Sequence, residues 1–406
     1  MKSLIDLKKK GFKIKANWQD ISSKSIFFIN TLNKKNFDIY QNKAIKKGCK
    51  HILCKDSYKS KNQLSDINYH YFKNDDELYK IAKLFFNYQK LKLIFVTGTN
   101  GKTSVAYGTH QLLTLNNIKS SYIGTLGFYI NSKKIKSLRN TTPSFFEILD
   151  LLCQIEINKV NLVFLEASSI GYCENRLGYL KYDFCFLTNL KSDHLDYHKN
   201  LNNYHNAKLD MIVNHSKNKS KILIQDNNLM TKLKKINFKI QTQQDFIDKN
   251  TISISKELYS NVKLTIKHNV YKIKTFHNFV IQNTISIIFL YVAISKKWPK
   301  KLTQKIFAKG RSEIVYEKKG SIIMVDYAHS ADAFKNLLKD IPKFSNNIIV
   351  IYGCGGERDK FKRAIIAKTV SKYSNLQIIT DDNPRNENPK LIRDTLFKNS
   401  KNPINI

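Results

Sequence analysis

Acidic residues are scarce in this chain. Against 69 lysines and arginines stand 32 aspartates and glutamates, a formal charge of +37 over 406 residues. Such a field draws anions: nucleotides, phosphosugars, nucleic acid. The basic residues are scattered, however, among abundant Asn, Ile, Phe and Tyr, the look of A/T-rich codon bias. No dense basic arm with interleaved aromatics stands out, so a dedicated nucleic-acid site is not expected. Proline is rare too, with six residues, and no low-complexity linker or internal repeat marks the domain boundaries. Cys49, Cys54, Cys153, Cys173, Cys185 and Cys354 form no C-x-x-C pair and no His/Cys cluster of zinc spacing. They read as reduced thiols of a cytoplasmic protein. Long apolar runs are missing as well. Residues Met1 to Asp6 hold no signal core, and the run from Ile285 to Ile294 is broken by Ser286 and is too short to cross a bilayer. A buried helix is expected there, and no membrane insertion.

What is present suits a multidomain α/β protein. Hydrophobic residues make up 42% of the chain, enough for ordinary buried cores, and the length allows two to four domains. Residues 1–88 alternate short apolar runs with helix-like stretches and suggest a small α/β domain. Asp75, Asp76 and Glu77 place acid at the start of a helix through Phe86. A new unit opens near residue 89, with strands expected at Leu93–Val96, Leu162–Leu165, Phe184–Leu187 and Ile222–Ile224. Helical stretches between some of them argue for a parallel sheet. Residues 250–275 alternate like a small antiparallel excursion. A further α/β series begins near Gly310, with strands at Ile322–Val325, Ile348–Ile351 and Gln377–Thr380. The expected domains are 1–88, 89–309 and 310–406.

The most informative stretch is Gly98-Thr99-Asn100-Gly101-Lys102-Thr103-Ser104, directly after the apolar run Leu93–Val96. A strand feeding a glycine turn, then Lys-Thr, then a helix is a recipe for holding a nucleotide triphosphate. Gly98 and Gly101 let backbone N–H groups approach phosphate oxygens. The helix start adds positive dipole, Lys102 a charge, and Thr103 a hydroxyl for magnesium. The alternative is a plain strand–helix corner.

Other polar clusters follow the ends of expected strands, where open α/β sheets place ligands. They are Glu166–Ser169, Thr188–His198, Asp326–His329, Gly353–Lys360 and Asp381–Arg385. Any one could be a solvated loop; five after strands are hard to assign to chance.

In this order, T-G-T-N-G-K-T (Thr97–Thr103), N-T-T-P (Asn140–Pro143), E-x-S-S (Glu166–Ser169), T-N-L-x-x-D-H-L-D-Y-H (Thr188–His198), G-R-x-E (Gly310–Glu313), D-Y-A-H (Asp326–His329), G-C-G-G-x-R-D-K (Gly353–Lys360) and D-N-P-R (Asp382–Arg385) resemble the motifs of the Mur ligases of peptidoglycan synthesis. The chain is most similar to the members that add diaminopimelate. The resemblance covers roughly residues 93 to 390. It implies an N-terminal domain for the UDP end of the substrate, a central P-loop ATPase with a parallel sheet, and a Rossmann-like C-terminal domain for the incoming amino acid.

The implied reaction activates a carboxylate. ATP phosphorylates the D-glutamate γ-carboxylate of UDP-MurNAc-L-Ala-D-Glu, and the amine of meso-diaminopimelate attacks the acyl phosphate. The resemblance gives the nucleotide to Gly98–Ser104, Asn283, Asp326, Tyr327 and His329. It gives magnesium to Thr103, Glu166, His194 and Lys208, the last as a carbamate. Without it, Lys208 reads as an exposed helix lysine and His198 as a packed or surface imidazole. Asn140, Thr141, Thr142, Ser168 and Arg176 would hold the precursor. Arg358, Asp382, Asn383, Pro384 and Arg385 would receive diaminopimelate, with Arg385 gripping the distal carboxylate that lysine lacks. Read alone, Asp382–Arg385 is equally an Asn-Pro turn. The protein is expected to act as a monomer.

The chain departs from the family pattern in places. The Asp-Ser-Arg signature that helps bind the uridine end is not legible around Asn17-Trp18-Gln19. Ile170 and Ala331 replace a usual histidine and proline. A G-K-G-H-E segment that completes the amino-acid site does not occur, so the C-terminal domain is expected to be incomplete. One helix, Leu391–Lys398, is expected after Arg385, packed through Leu391, Ile392 and Leu396 and broken by Asn399–Pro403. The competing readings are a lysine-adding synthetase, a folylpolyglutamate-type ligase and a catalytically weak nucleotide-binding remnant.

Overall fold

The computed structural model of the chain describes residues 1–406 except 31–33, 60–62, 90, 230–232, 234–238, 251, 258–260, 267–268, 358 and 406. By internal packing it divides into two compact units. One comprises Met1–Ile94, Lys119–Asp183 and His215–Lys217, the other Phe95–Ile118, Phe184–Asn214 and Asn218–Ile406.

Strands β1 (Lys13–Lys15), β2 (Ser25–Ile29), β3 (His51–Lys55) and β4 (Asn68–Phe72) form a parallel sheet in sequence order. Ser25–Ile29 is buried at every position, as a parallel strand covered on both faces requires. Phe37 and Ala44, from the helix Lys34–Ile45, pack there with Phe27, Ile29 and Ile52. The helix Asp75–Phe85 begins on Asn74, whose side chain accepts from the Glu77 N–H at 3.0 Å, with the expected acids in its first turn.

An eight-stranded sheet contains β5 (Lys92–Thr97), β6 (Ser121–Gly124), β7 (Gly127–Ile130), β8 (Lys133–Lys136), β9 (Leu162–Glu166), β10 (Tyr182–Leu187), β11 (Ser216–Ile224) and β12 (Lys239–Thr242). Its order is β12-β11-β10-β5-β9-β6-β7-β8. The pairs β6/β9 and β11/β12 are parallel, whereas β7 and β8 add an antiparallel edge. The expected excursion is a three-stranded antiparallel sheet of β13 (Ile252–Glu257), β14 (Asn261–Ile266) and β15 (Asn269–Lys274). The helix Asn278–Ser295 that follows is longer than the apolar run suggested. Its 18 residues are long and apolar enough to cross a bilayer, but Ile281, Ile285, Ile288 and Leu290 are buried within the protein.

Two expectations fail in the last hundred residues. Ile322–Val325 does not join a parallel sheet. It lies in β17 (Ser321–Val325), which among the described residues pairs only with β16 (Glu313–Lys318), antiparallel. Lys319 and Gly320 both take positive φ, 48° and 79°, and close a two-residue hairpin that pairs the strand locally. Nor is Pro403 only a breaker: the helix ends at Lys398 as expected, and the chain then re-enters a sheet that was expected to be left with an unpaired edge. The parallel sheet of β18 (Ile349–Tyr352) and β19 (Leu376–Ile379) gains β20 (Pro403–Asn405). Proline is tolerated as the first residue of a strand. The preceding helix spans Pro389–Lys398 and buries Ile392 and Leu396 against Ile366, Val370 and Ile379, while Leu391 stays exposed.

Candidate functional site

The glycine turn joins the Phe95–Thr97 end of β5 to the helix Lys102–Leu115. Gly98 has φ 135°, and a Cβ there would sit 1.9 Å from Thr188 Oγ1. Gly101 caps the helix in the left-handed region, φ 86°. The Thr188–Lys191 segment holds the turn from behind. Thr188 Oγ1 donates to the Asn100 carbonyl at 2.6 Å. The Asn189 amide accepts from the Asn100 N–H and donates to its carbonyl, both at 3.1 Å. The Lys191 N–H and the Tyr204 hydroxyl reach Thr99 Oγ1 at 2.9 and 3.2 Å. Lys102 Nζ donates to the carbonyls of Gly98 and Thr99, each at 2.9 Å, which keeps its charge at the turn. Thr103 is buried and Ser104 half-buried at the helix start. Lys208 is no exposed helix lysine. It is 1% exposed, lies 4.6 Å from the Tyr204 ring centroid and donates to the Gly98 carbonyl at 3.1 Å.

Asp193 stands between two imidazoles, with His194 Nε2 and His329 Nε2 each 3.6 Å from its Oδ2. Burial works against its charge. The interaction with His329, the charges of both histidines and the His194 N–H outweigh it and hold the carboxyl well below the usual range. Burial also drives His194 down to about 4. Asp193 opposes this, and the charges of Lys102, Lys208 and His329 reinforce it. His194 is thus a neutral imidazole near neutral pH, able to accept a proton or donate a lone pair. His198 is buried against Tyr197 and Tyr204.

Asn283, on the helix Asn278–Ser295, places its Oδ1 3.1 Å from where a Gly101 Cβ would be. With Ser104, Phe279, Ile287, Phe307 and Arg311 it lines a pocket whose walls are mainly apolar. The Arg311 guanidinium lies over the Tyr327 ring at 4.1 Å. Burial raises the Asp326 carboxyl, and the Ser312 N–H at 2.7 Å and the Arg311 charge pull the other way. Asn283, Asp326, Tyr327 and His329 therefore all belong to the unit that carries the glycine turn.

The loops after β18 and β19 lock together. A Cβ on Gly356 would lie 1.9 Å from the Pro384 carbonyl oxygen. The Gly356 N–H donates to the Asn383 carbonyl at 2.9 Å, and Arg385 Nη1 donates to the Gly356 carbonyl at 2.5 Å. Buried Arg363 grips Glu387 with both terminal nitrogens at 3.0 Å. Asp382, Asn383 and Arg385 are left exposed at the rim, and Arg385 takes φ 51°. Arg358 lies outside the described residues.

The other unit has its own polar cluster. Glu166, at the end of β9, is fully buried. Its Oε1 accepts from the Tyr122 hydroxyl and from the Thr125 N–H at 3.0 Å, and its Oε2 from Thr125 Oγ1 at 3.2 Å. Thr142 Oγ1 donates to the Glu166 carbonyl at 2.8 Å and accepts from the Ser168 N–H at 2.9 Å. Ser168 caps the short helix Ser169–Cys173. Arg176 Nη1 donates to the Thr142 carbonyl at 2.9 Å, and Thr141 and Thr125 share a hydroxyl contact at 3.1 Å. Asn140 is exposed beside them. Four of the five expected precursor residues thus form one hydrogen-bonded group.

Tyr122, Thr125, Tyr204, Arg311, Arg363 and Glu387 were not singled out from the sequence. Only Arg311 carried a signal, inside the G-R-x-E motif. The others act through contacts between distant segments. Among the described residues, no three His, Cys, Asp or Glu side chains converge to hold a metal unaided. The Thr103 hydroxyl, at the start of the helix after the glycine turn, is nonetheless a donor type that fits magnesium, which draws most of its remaining ligands from phosphates and water.

The family described as Mur ligase middle domain matches residues 96–290, and the one described as Mur ligase, glutamate ligase domain, matches residues 310–404. The UDP-N-acetylmuramoyl-L-alanyl-D-glutamate--2,6-diaminopimelate ligase of Clostridium botulinum is 33% identical over 376 residues, spanning 87% of this chain and 75% of that protein. A solved structure of a ligase with the same name superposes with a TM-score of 0.58 at 22% identity, covering 97% of this chain and 84% of that one. A MurF ligase from Thermotoga maritima in complex with ADP gives a TM-score of 0.64 at 15% identity, covering 100% of this chain and 89% of that one. Sequence and fold agree over most of the length, and the chain belongs to the Mur ligase family.

Proposed function

We propose that this chain is an ATP-dependent, ADP-forming ligase that adds meso-diaminopimelate to the D-glutamate of UDP-MurNAc-L-Ala-D-Glu in peptidoglycan synthesis. Its relatives carry that name. The observation that carries the reading is buried Lys208 on the Gly98 carbonyl, which puts a second lysine beside Lys102 at a phosphate-binding turn. We place the protein in the cytoplasm, as a monomer, in the three domains 1–88, 89–309 and 310–406.

Phosphoryl transfer asks the protein mainly for positioning and charge neutralisation. The N–H groups of the glycine turn and Lys102 hold the β- and γ-phosphates, while Asn283, Asp326, Tyr327 and His329 take the nucleoside side. Thr103, Glu166 and His194 are the residues that would hold magnesium, which would supply charge neutralisation for the phosphates. Lys208, carbamylated, becomes an anion at the same turn. The γ-carboxylate of the precursor attacks the γ-phosphate and ADP leaves. The diaminopimelate amine then attacks the acyl phosphate, loses a proton, and phosphate departs as the amide forms. Asn140, Thr141, Thr142, Ser168 and Arg176 orient the precursor. Arg358, Asp382, Asn383, Pro384 and Arg385 orient diaminopimelate. The test is Lys102→Ala, which is expected to abolish precursor-dependent phosphate release while circular dichroism stays unchanged. Full activity in that variant would remove the assignment.

A further inference from the structure

Arg363 stands in the first turn of the helix Phe361–Tyr373, where a cation opposes the helix dipole. It is buried, and its Nε finds no hydrogen-bond partner among the described residues. Both features cost free energy. Its terminal nitrogens are committed to one carboxylate: Nη1 donates to Glu387 Oε2 and Nη2 to Glu387 Oε1, both at 3.0 Å. The two side chains are 4% and 18% exposed, and every other ion pair among the described residues has a more exposed partner.

A buried ion pair is a poor way to gain stability, because desolvation consumes most of the attraction. What the pair joins is more informative. Glu387 lies on the loop after β19, two residues beyond Arg385. Its carboxylate also accepts from the Glu357 N–H, on the loop after β18, and Arg363 Nη2 reaches the Gly355 carbonyl at 3.4 Å. The Glu387 N–H donates to the Pro384 carbonyl at 3.0 Å and closes a turn around Arg385. Inside that turn Arg385 takes φ 51°, a left-handed conformation that side chains with a Cβ adopt only when their surroundings impose it. Its guanidinium runs along the glycines of the facing loop, where a Gly355 Cβ would lie 2.9 Å from Arg385 Nη1. An exposed arginine on a loop otherwise samples many rotamers. Here the backbone on its C-terminal side is pinned through Glu387 to a buried cation.

We propose that Arg363 and Glu387 are positioning residues, which hold Arg385 in place for an amino-acid substrate with a second, distal carboxylate. Neither touches the substrate. This rests on the ligase reading, which puts the amino acid at Arg385, and it adds the pair on which selection depends. A guanidinium fixed before the substrate arrives grips a carboxylate without paying for its own ordering, so the preference for meso-diaminopimelate over L-lysine follows from the pair.

R363M/E387L replaces the pair by apolar side chains of similar size, and E387Q keeps the shape while removing the charge. Circular dichroism and thermal melts report whether each variant folds. Phosphate release is measured with meso-diaminopimelate and with L-lysine, and meso-diaminopimelate binding by calorimetry with ADP and the UDP-dipeptide present. R363M/E387L should raise KM for meso-diaminopimelate at least about tenfold, the scale of one lost charge-assisted hydrogen bond. The preference over L-lysine should fall with it, while KM for ATP and for the UDP-dipeptide stays unchanged. E387Q should fall between this variant and the unmodified protein. A merely structural pair would lower the melt, or raise all three KM values together, without moving the preference. An unchanged preference in folded R363M/E387L would overturn the proposal; where that variant does not fold, an unchanged preference in E387Q would overturn it. Turnover with the preference intact in the variants would leave the ligase standing without this role. Calorimetric binding of meso-diaminopimelate that depends on the pair, with no turnover by the unmodified protein, would leave the role without the ligase.

Discussion

Lys208 Nζ donates to the Gly98 carbonyl at 3.1 Å, across 110 residues of sequence. A buried side-chain nitrogen on the backbone of a glycine turn fixes the turn's carbonyl face, and the N–H that a carbamylated lysine keeps can still make that bond. Two functions, structural and chemical, meet at one atom. Lys208→Ala is expected to lose ligase activity and to regain part of it with added formate or acetate, which would fill the site of the carbamate. Full activity of the alanine variant in bicarbonate-free buffer would contradict the carbamate.

Gly98 admits no side chain. Its φ is 135° and the Cβ would collide with Thr188 Oγ1 at 1.9 Å. Gly98→Ala should destabilise the protein by roughly 1–3 kcal/mol through overpacking and weaken ATP binding, both measurable by thermal melts with and without ATP. A melt identical to that of the unmodified protein would show that the turn relaxes freely.

This much of the site was legible because it is local. Strand, glycine turn and Lys-Thr are neighbours in sequence, and their spacing alone sets the geometry. Lys208 was not legible in that way. Its burial depends on the approach of Tyr204 and Gly98, which no local pattern reports. The fold shows the same limit. The alternation at Ile322–Val325 marks a strand but not its partner, and the Lys319–Gly320 hairpin decided that. Pro403 reads as a breaker yet opens β20, because a first strand residue need not donate to the ladder.

Thr142 ties together the Glu166 carbonyl, the Ser168 N–H and the Ser168 hydroxyl, at 2.8, 2.9 and 3.0 Å. Thr142→Val keeps the shape and removes the oxygen. It should cost roughly 1–3 kcal/mol, because buried polar partners are left behind, and should raise KM for the UDP-dipeptide more than KM for ATP. Equal changes in both would separate this group from precursor binding.

His70 and His51 face each other, Nε2 to Nδ1, at 3.2 Å, with Ser3 Oγ 3.4 Å from His70 Nδ1. Burial first, then the His51 charge and the N-terminal amine, push His70 down to about 4. A histidine with a depressed folded pKa stabilises the fold fully above its unfolded value, near 6.5. That contribution is lost as pH falls from about 6.5 toward 4, because the unfolded chain then binds more protons. Thermal stability should fall across this window, and His70→Gln should flatten the fall. An unchanged slope in the variant would assign the pH dependence to other groups.

Arg385 is held at an exposed rim by the Gly356 carbonyl at 2.5 Å. Arg385→Ala should weaken use of diaminopimelate by about 1.5–3 kcal/mol, the range for a charge-assisted hydrogen bond, and leave ATP affinity nearly untouched. Loss of ATP affinity instead would mark Arg385 as a structural tie between the two loops.

The most direct measurement is phosphate release by the unmodified protein with ATP, magnesium and UDP-MurNAc-L-Ala-D-Glu, run with meso-diaminopimelate and in parallel with L-lysine. The account predicts release that requires the precursor and is faster with meso-diaminopimelate. Equal rates with the two amino acids, or release that does not depend on the precursor, would contradict it.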